Sequence, residues 1–405
     1  IMQTSIIDRF KDTPEGREAE IILRACVHCG FCTATCPTYQ LLGNELDSPR
    51  GRIDLIKKVL EGQTPTRRTQ RHLDRCLSCR SCETTCPSGV RYAHLADIGR
   101  GIIDGMVQRS LLERATRRGL RLVLPYPGRF SVLLRLGQLF RPILPRPLKQ
   151  RIPAAQSPAP WPHGSHERNM LVLEGCAQKA ATPNTNAATA RILDRLGIGL
   201  TREASAGCCG AVSYHLSAHK EARDAMRRNI DAWWPHLENG IEAIIITASG
   251  CGAMVKDYGQ VLKDDPAYAD KAARISALAK DICEVIARED LAPLKIKGAG
   301  KPIAFQSPCT LQHGQKLAGV VESILQRLGF NLTPVADSHL CCGSAGTYSI
   351  LQPVISRQLL DEKLSALEEG KPELIVTANI GCQLHLETRA GLPVKHWIEL
   401  VDESS

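Results

Sequence analysis

CVHCGFCTATCP, residues 26–37, and CLSCRSCETTCP, residues 76–87, decide the fold of this 405-residue chain. Both follow C-x2-C-x2-C-x3-C-P, the spacing in which three thiolates from one tight turn hold a [4Fe-4S] cubane and the fourth cysteine serves a neighbouring cubane. Crossed ligation assigns Cys26, Cys29, Cys32 and Cys86 to one cluster, and Cys76, Cys79, Cys82 and Cys36 to the other. Pro37 and Pro87 follow the fourth cysteines, where a proline keeps a helix from carrying the cysteine backbone away. Zinc also takes C-x2-C pairs, but it asks for four ligands per site and has no use for a third cysteine two residues on.

Outward from these runs the chain reads as helical. PEGREAEIILR, residues 14–24, leads into the first run, and RGRIDLIKKVLE, residues 50–61, lies between the two. Ile53, Leu55, Ile56, Val59 and Leu60 form an apolar helical face. Residues 91–108 predict a returning helix. The 50-residue offset between runs therefore predicts a helical ferredoxin domain over 1–110, with helices separating the cluster loops.

Formal charge is +9, and residues 107–151 carry eleven Arg or Lys against one acid, Glu113. Leucines and arginines alternate there in blocks broken by Pro125, Pro127, Pro142, Pro145 and Pro147. A basic amphipathic segment over 111–151 fits an anionic lipid surface or a partner subunit; an ordinary solvated face is the plainer reading. Aromatics are 4% of the chain, too few for a stacking platform, so nucleic acid is not expected. No apolar run is long enough to span a bilayer. No secretory h-region stands near the N-terminus, so seventeen cysteines predict thiols kept reduced in a cytoplasm, with any membrane association peripheral, on the cytoplasmic face of an inner membrane.

A Pro-rich linker, 152–168, precedes a duplicated unit, 169–297 and 298–405. Cys176, Cys208, Cys209 and Cys251 in the first copy match Cys309, Cys341, Cys342 and Cys382 in the second, at offsets of 133, 133, 133 and 131 residues. Each copy reads as an α/β unit with parallel strands, and its cysteines fall just after the strand runs, where open sheets place ligands. The fold class is thus mixed: an N-terminal α-helical ferredoxin domain and a C-terminal duplicated α/β cysteine-rich (CCG) domain. Each later set is expected to converge, as a further iron-sulfur cluster or zinc site in at least one copy, against the plainer reading of packed turns with inert cysteines. Cys283, in DICEVIAR, reads as core. No dinucleotide fingerprint and no nucleophile-base set is present, so no catalytic residue is expected in this chain.

Taken together, RACVHCGFCTATCPTYQLLG, SPRGRIDLIKKVLEG, HLDRCLSCRSCETTCPSGVRY, PNTNAATARILDRLG, AGCCGAV, NIDAWWP, ASGCGA, DSHLCCGSAGTY and VTANIGCQ resemble the iron-sulfur subunits of bacterial glycolate oxidases over nearly the whole chain. That resemblance implies electron transfer from FAD in a partner subunit, where glycolate becomes glyoxylate, toward a quinone. Glycerol-3-phosphate and lactate dehydrogenases use similar subunits and are the neighbouring alternatives. The duplicated unit also resembles the cysteine-rich domain of heterodisulfide reductases, which suggests thiol-disulfide chemistry as a third reading. The fuller pattern there ends in a further C-x-x-C; here Met254 and His385 stand in its place, and His385 is a candidate substitute ligand.

Overall fold

The computed structural model describes residues 2–298 and 300–405. They divide into two compact units. The first holds the chain up to Arg118 together with His215–Ser217 and His339–Leu359; the second holds Gly119–Tyr214, Ala218–Ser338 and Leu360–Ser405.

In the first unit, helices Pro14–Ala25 and Pro49–Leu60 start alike. A hydroxyl caps each: Thr13 accepts from the Gly16 N–H at 3.0 Å and Ser48 from the Gly51 N–H at 2.9 Å, with a proline pre-set at the first helical position. Glycine follows for steric reasons, because a Cβ on Gly51 would stand 2.0 Å from the Glu45 carbonyl oxygen. With Arg67–Asp74 and Tyr92–Met106 these helices bury Ile22, Leu23, Ile53, Ile56, Leu60, Leu73, Leu95 and Ile103. The expected helices lie within a residue or two of the observed ones. Leu55, expected on the buried face, is only half-buried; Arg52 takes a buried place instead.

The second unit contains two four-stranded parallel sheets, one per sequence copy, ordered β2-β1-β3-β4 and β6-β5-β7-β8. β1 is Arg168–Val172, β2 Ile198–Arg202, β3 Ile244–Ile246, β4 Ala279–Asp281, β5 Pro302–Gln306, β6 Asn331–Leu332, β7 Leu374–Thr377 and β8 Val394–His396. The last strand of each copy, three residues long, is too short and too polar (AKD, VKH) to show a period in the sequence. The copies share a core in which Val172, Ile245, Ile303, Val376 and Trp397 meet, and full burial of such side chains is worth about 1.5–3 kcal/mol apiece. Polar contacts tie the copies together as well: the Ser249 N–H donates to the Ala378 carbonyl at 3.2 Å, and His396 Nε2 lies 2.9 Å from the Thr247 carbonyl. Cys283 is fully buried in this core.

The Pro-rich stretch before β1 is docked along part of its length. Trp161 Nε1 donates to the Leu200 carbonyl at 3.2 Å, and Arg202 stacks on the Trp161 ring. In the basic segment, helices Leu111–Val123 and Pro127–Phe140 bury no residue completely, and Leu111, Leu112, Val132, Leu133, Leu139 and Phe140 face solvent. Its arginines are not all surplus charge. Arg109 and Arg117 both pair with Asp74, and Arg121 with Glu221.

Candidate functional site

Two recesses open side by side in the first unit. The first is lined by Cys26, Cys29, Cys32, Cys82 and Cys86, the second by Cys36, Cys76, Cys79 and Cys82. Cys82, Pro49 and Tyr92 belong to both walls. Cys86 thus lines a recess with Cys26, Cys29 and Cys32, and Cys36 lines one with Cys76, Cys79 and Cys82, while Cys82 lines both.

Local backbone makes this grouping. His28 and Ser78, equivalent at an offset of 50, sit at φ 54° and 53°, and Gly30 and Arg80 at φ 85° and 63°. Left-handed residues curl each C-x2-C-x2-C segment so that its three thiols face inward, at a cost of roughly 1–2 kcal/mol for a non-glycine residue. The equivalent hydroxyls of Thr35 and Thr85 meet at 3.1 Å, pinning the two runs together. Pro37 does more than block a helix: it begins one, Pro37–Leu42, immediately after Cys36.

The two recesses differ in charge. Around the first, burial pushes the Cys32 thiol up to about 11 and raises Cys26. Around the second, burial raises Cys82 well above the usual range. It works in the same direction on Cys76, but Arg52, Arg100, the Ser78 amide and the Tyr92 hydroxyl outweigh it and bring that thiol below its ordinary value. Arg52 is 1% exposed and lines the second recess. It donates to the His72 carbonyl at 2.7 Å and to Thr38 Oγ1 at 3.1 Å, and that hydroxyl lies 3.4 Å from Cys36 Sγ. Asp47, fully buried, faces His72 at 2.9 Å, Arg75 at 2.8 Å and Arg52 at 3.6 Å. Arg100 donates to the carbonyls of Leu73 and Cys76.

Sequence reasoning missed Arg52, Arg100, Asp47 and Tyr92. The signal for Arg52 was present: it stands four residues before Ile56, on the apolar face of its helix. Two further residues come from the duplicated unit, at equivalent places after the paired cysteines. His215 Nδ1 lies 3.4 Å from Asp97, the carboxylate that pairs with Arg100, and the Tyr348 hydroxyl donates to the Arg75 carbonyl at 2.9 Å. Both therefore brace the turn that carries Cys76.

The first later set also converges. Cys208 is within hydrogen-bonding reach of Cys176 and Cys209, and Cys209 of Cys251. Bonds from Cys176 and Cys209 hold the Cys208 thiol well below its usual range, while burial helps to keep its two neighbours well above it. Asn229 bonds the Gly207 N–H and the Cys208 carbonyl, and Tyr258 donates to the Cys209 carbonyl, so the loop is fixed from behind. In the second set, Cys341 and Cys342 lie buried on the His339–Leu359 segment of the first unit, and Cys309 and Cys382 lie buried in the second. Met254 is core, and His385 is half-buried one turn after Cys382.

Cluster chemistry fits the residues of the two recesses. Each offers four thiols around a volume, and the buried Tyr92 hydroxyl has no nitrogen or oxygen partner among the described residues although it faces Cys76.

Comparison with known proteins agrees with this division. Residues 22–90 match the 4Fe-4S dicluster domain, and residues 170–256 and 303–387 match the cysteine-rich domain. The chain is 59% identical over 404 residues to the glycolate oxidase iron-sulfur subunit of Escherichia coli K12, covering 100% of this chain and 99% of that one. It is 30% identical over 412 residues to the Bacillus subtilis protein named "Probable glycolate oxidase iron-sulfur subunit", covering 94% and 91%. Lactate utilization protein A of Bacillus licheniformis is 30% identical over 216 residues, which is 51% of this chain and 86% of that one.

Proposed function

The chain belongs to the family of glycolate oxidase iron-sulfur subunits, and from that premise we propose that it carries electrons from FAD in a partner subunit, where glycolate becomes glyoxylate, toward a quinone. The observation that carries the reading is the pair of crossed cysteine quartets meeting at Cys82 and Tyr92. Cys26, Cys29, Cys32 and Cys86 would hold one [4Fe-4S] cluster, and Cys36, Cys76, Cys79 and Cys82 the other. Bound clusters supply one-electron redox states in series. The protein's part is to fix the thiolates, keep water from Cys26, Cys36, Cys76 and Cys82, and hold charge beside them. Cys176, Cys208, Cys209 and Cys251 are the better-converged candidates for a further centre; Cys309, Cys341, Cys342 and Cys382 form the second set.

Iron and acid-labile sulfide per chain, on anaerobically purified protein, test this reading. About eight irons are expected from the two recesses, and about twelve if one later set is also loaded. Zinc without iron would overturn the proposal. The Bacillus licheniformis relative favours lactate as a second substrate class, and reduction of the assembled complex by glycolate against lactate decides between them.

Among the described residues no helix is long and apolar enough to cross a membrane. We place the protein on the cytoplasmic face of the inner membrane through the helix Pro127–Phe140, whose exposed Val132, Leu133, Leu139 and Phe140 lie among Arg129, Arg135 and Arg141. Each basic residue near an anionic surface is worth about 1 kcal/mol, so replacing these three arginines by glutamine is expected to weaken binding to phosphatidylglycerol vesicles roughly 100-fold. Equal flotation of the variant would count against lipid and leave a partner subunit as the occupant.

A further inference from the structure

We propose that the second recess is the higher-potential of the two cluster sites, that Arg52, Arg100 and Tyr92 are the positioning residues that set this order, and that an electron arriving at the first recess therefore moves to the second. The inference rests on the reading that both recesses hold [4Fe-4S] clusters. Reduction adds one negative charge to a cluster, so buried positive charge and donors aimed at its sulfurs favour the reduced form.

The charges facing the recesses can be tallied. Arg52, 1% exposed, lines the second recess, and behind it Arg100 and the partly exposed Arg75 stand with it against the carboxylates of Asp47 and Asp97, a surplus of one positive charge. His72 and His215 also face those carboxylates and add charge only when protonated. Arg80, at the rim, is neutralised by Glu83 at 2.8 Å. At the first recess the lining guanidinium is Arg50, partly exposed and paired with Glu45 at 2.8 Å, which leaves no surplus and more screening by water.

Hydrogen-bond donors reach sulfurs on both sides, the His28 and Arg50 amides toward Cys26 and Cys32 at the first recess, and the second adds a side-chain hydroxyl to its own amide. At the second recess the Ser78 N–H points at Cys76 Sγ at 3.4 Å. The Tyr92 hydroxyl, buried and without a nitrogen or oxygen partner among the described residues, is aimed at Cys76. Arg100 braces the same turn through the Cys76 carbonyl at 2.7 Å and the Ser78 hydroxyl at 2.8 Å. In each site one electron enters a 2+/1+ couple, and no bond to cysteine forms or breaks. In the complex the donor is a reduced flavin; in the test it is dithionite.

The test is a dye-mediated reductive titration of the full chain followed by low-temperature EPR. Two waves are expected, and Cys79→Ala should delete the upper one. Arg52→Met should lower the upper wave alone, with at least a tenfold fall in its reduced-to-oxidised ratio at the original midpoint, equal to 59 mV for one electron. Tyr92→Phe should move the same wave in the same direction by less, and it carries the test if Arg52→Met does not fold. Arg50→Met should leave the upper wave in place. Movement of the lower wave in Arg52→Met, or loss of the lower wave in Cys79→Ala, would overturn the ordering while leaving the cluster reading intact. Iron-free protein would overturn both.

Discussion

Cys79→Ala is expected to cost the chain about half of the iron held by its two ferredoxin-type sites and to reduce glycolate-driven quinone reduction by the assembled complex at least 100-fold. The expectation follows from the donor count. Cys79 lines the second recess with Cys36, Cys76 and Cys82, and its removal leaves three thiols for four irons. Losing a group that merely orients a ligand commonly costs 10- to 100-fold, so losing the ligand should cost more. Cys283→Ala is the matched control. The same atoms are deleted, but from the core shared by the two sheets, so iron content should hold and only stability should fall, by about 1–2 kcal/mol. Full activity and full iron in Cys79→Ala would overturn the assignment of the second recess.

How far the sequence could be read depended on how local each signal was. Cysteine spacing is local: two gaps of two residues state how a turn must close, and Cys26, Cys29 and Cys32 lie together around one recess as that spacing requires. The duplication was legible because its copies keep near-identical offsets, and Ile245 and Val376 indeed sit in the corresponding strands β3 and β7. Arg52 was only half legible: its place on the apolar face of its helix was visible, but its partners were not. Its burial depends on Asp47, His72 and Thr38, which reach it from other segments, and no period in its own helix announces a paired charge. The same holds for Tyr348. That it would brace Arg75 is a fact of tertiary packing across 273 residues.

The pH dependence of stability should turn on two buried groups that pull in opposite directions, His396 and Asp281. Burial lowers the His396 pKa from 6.5 to about 4, although its bonds to the Thr247 and Ala378 carbonyls oppose the shift. The ring is committed to one neutral tautomer, because Nε2 donates to the Thr247 carbonyl while Nδ1 accepts the Ile398 N–H at 3.2 Å. A second proton would set a donor against a donor. The unfolded chain takes up that proton first, so this contribution is fully present above pH 6.5 and is lost as pH falls toward 4, by about 3 kcal/mol. Asp281 has the reverse sign: burial raises its pKa from 3.8 to about 6, so the folded chain takes up the proton first and gains about 3 kcal/mol as pH falls from 6 to 4. Between pH 6 and 4 the two nearly cancel, and the intact protein should show little slope from this pair. Replacing the imidazole uncovers the other term. His396→Asn, followed by urea unfolding at pH 7.5, 6, 5 and 4, should therefore be less stable than the parent at pH 7.5, with the gap closing by about 3 kcal/mol at pH 4. A constant gap at every pH would mean that His396 is not held neutral by the fold, and that its place between β8 and the loop after β3 is one of packing alone.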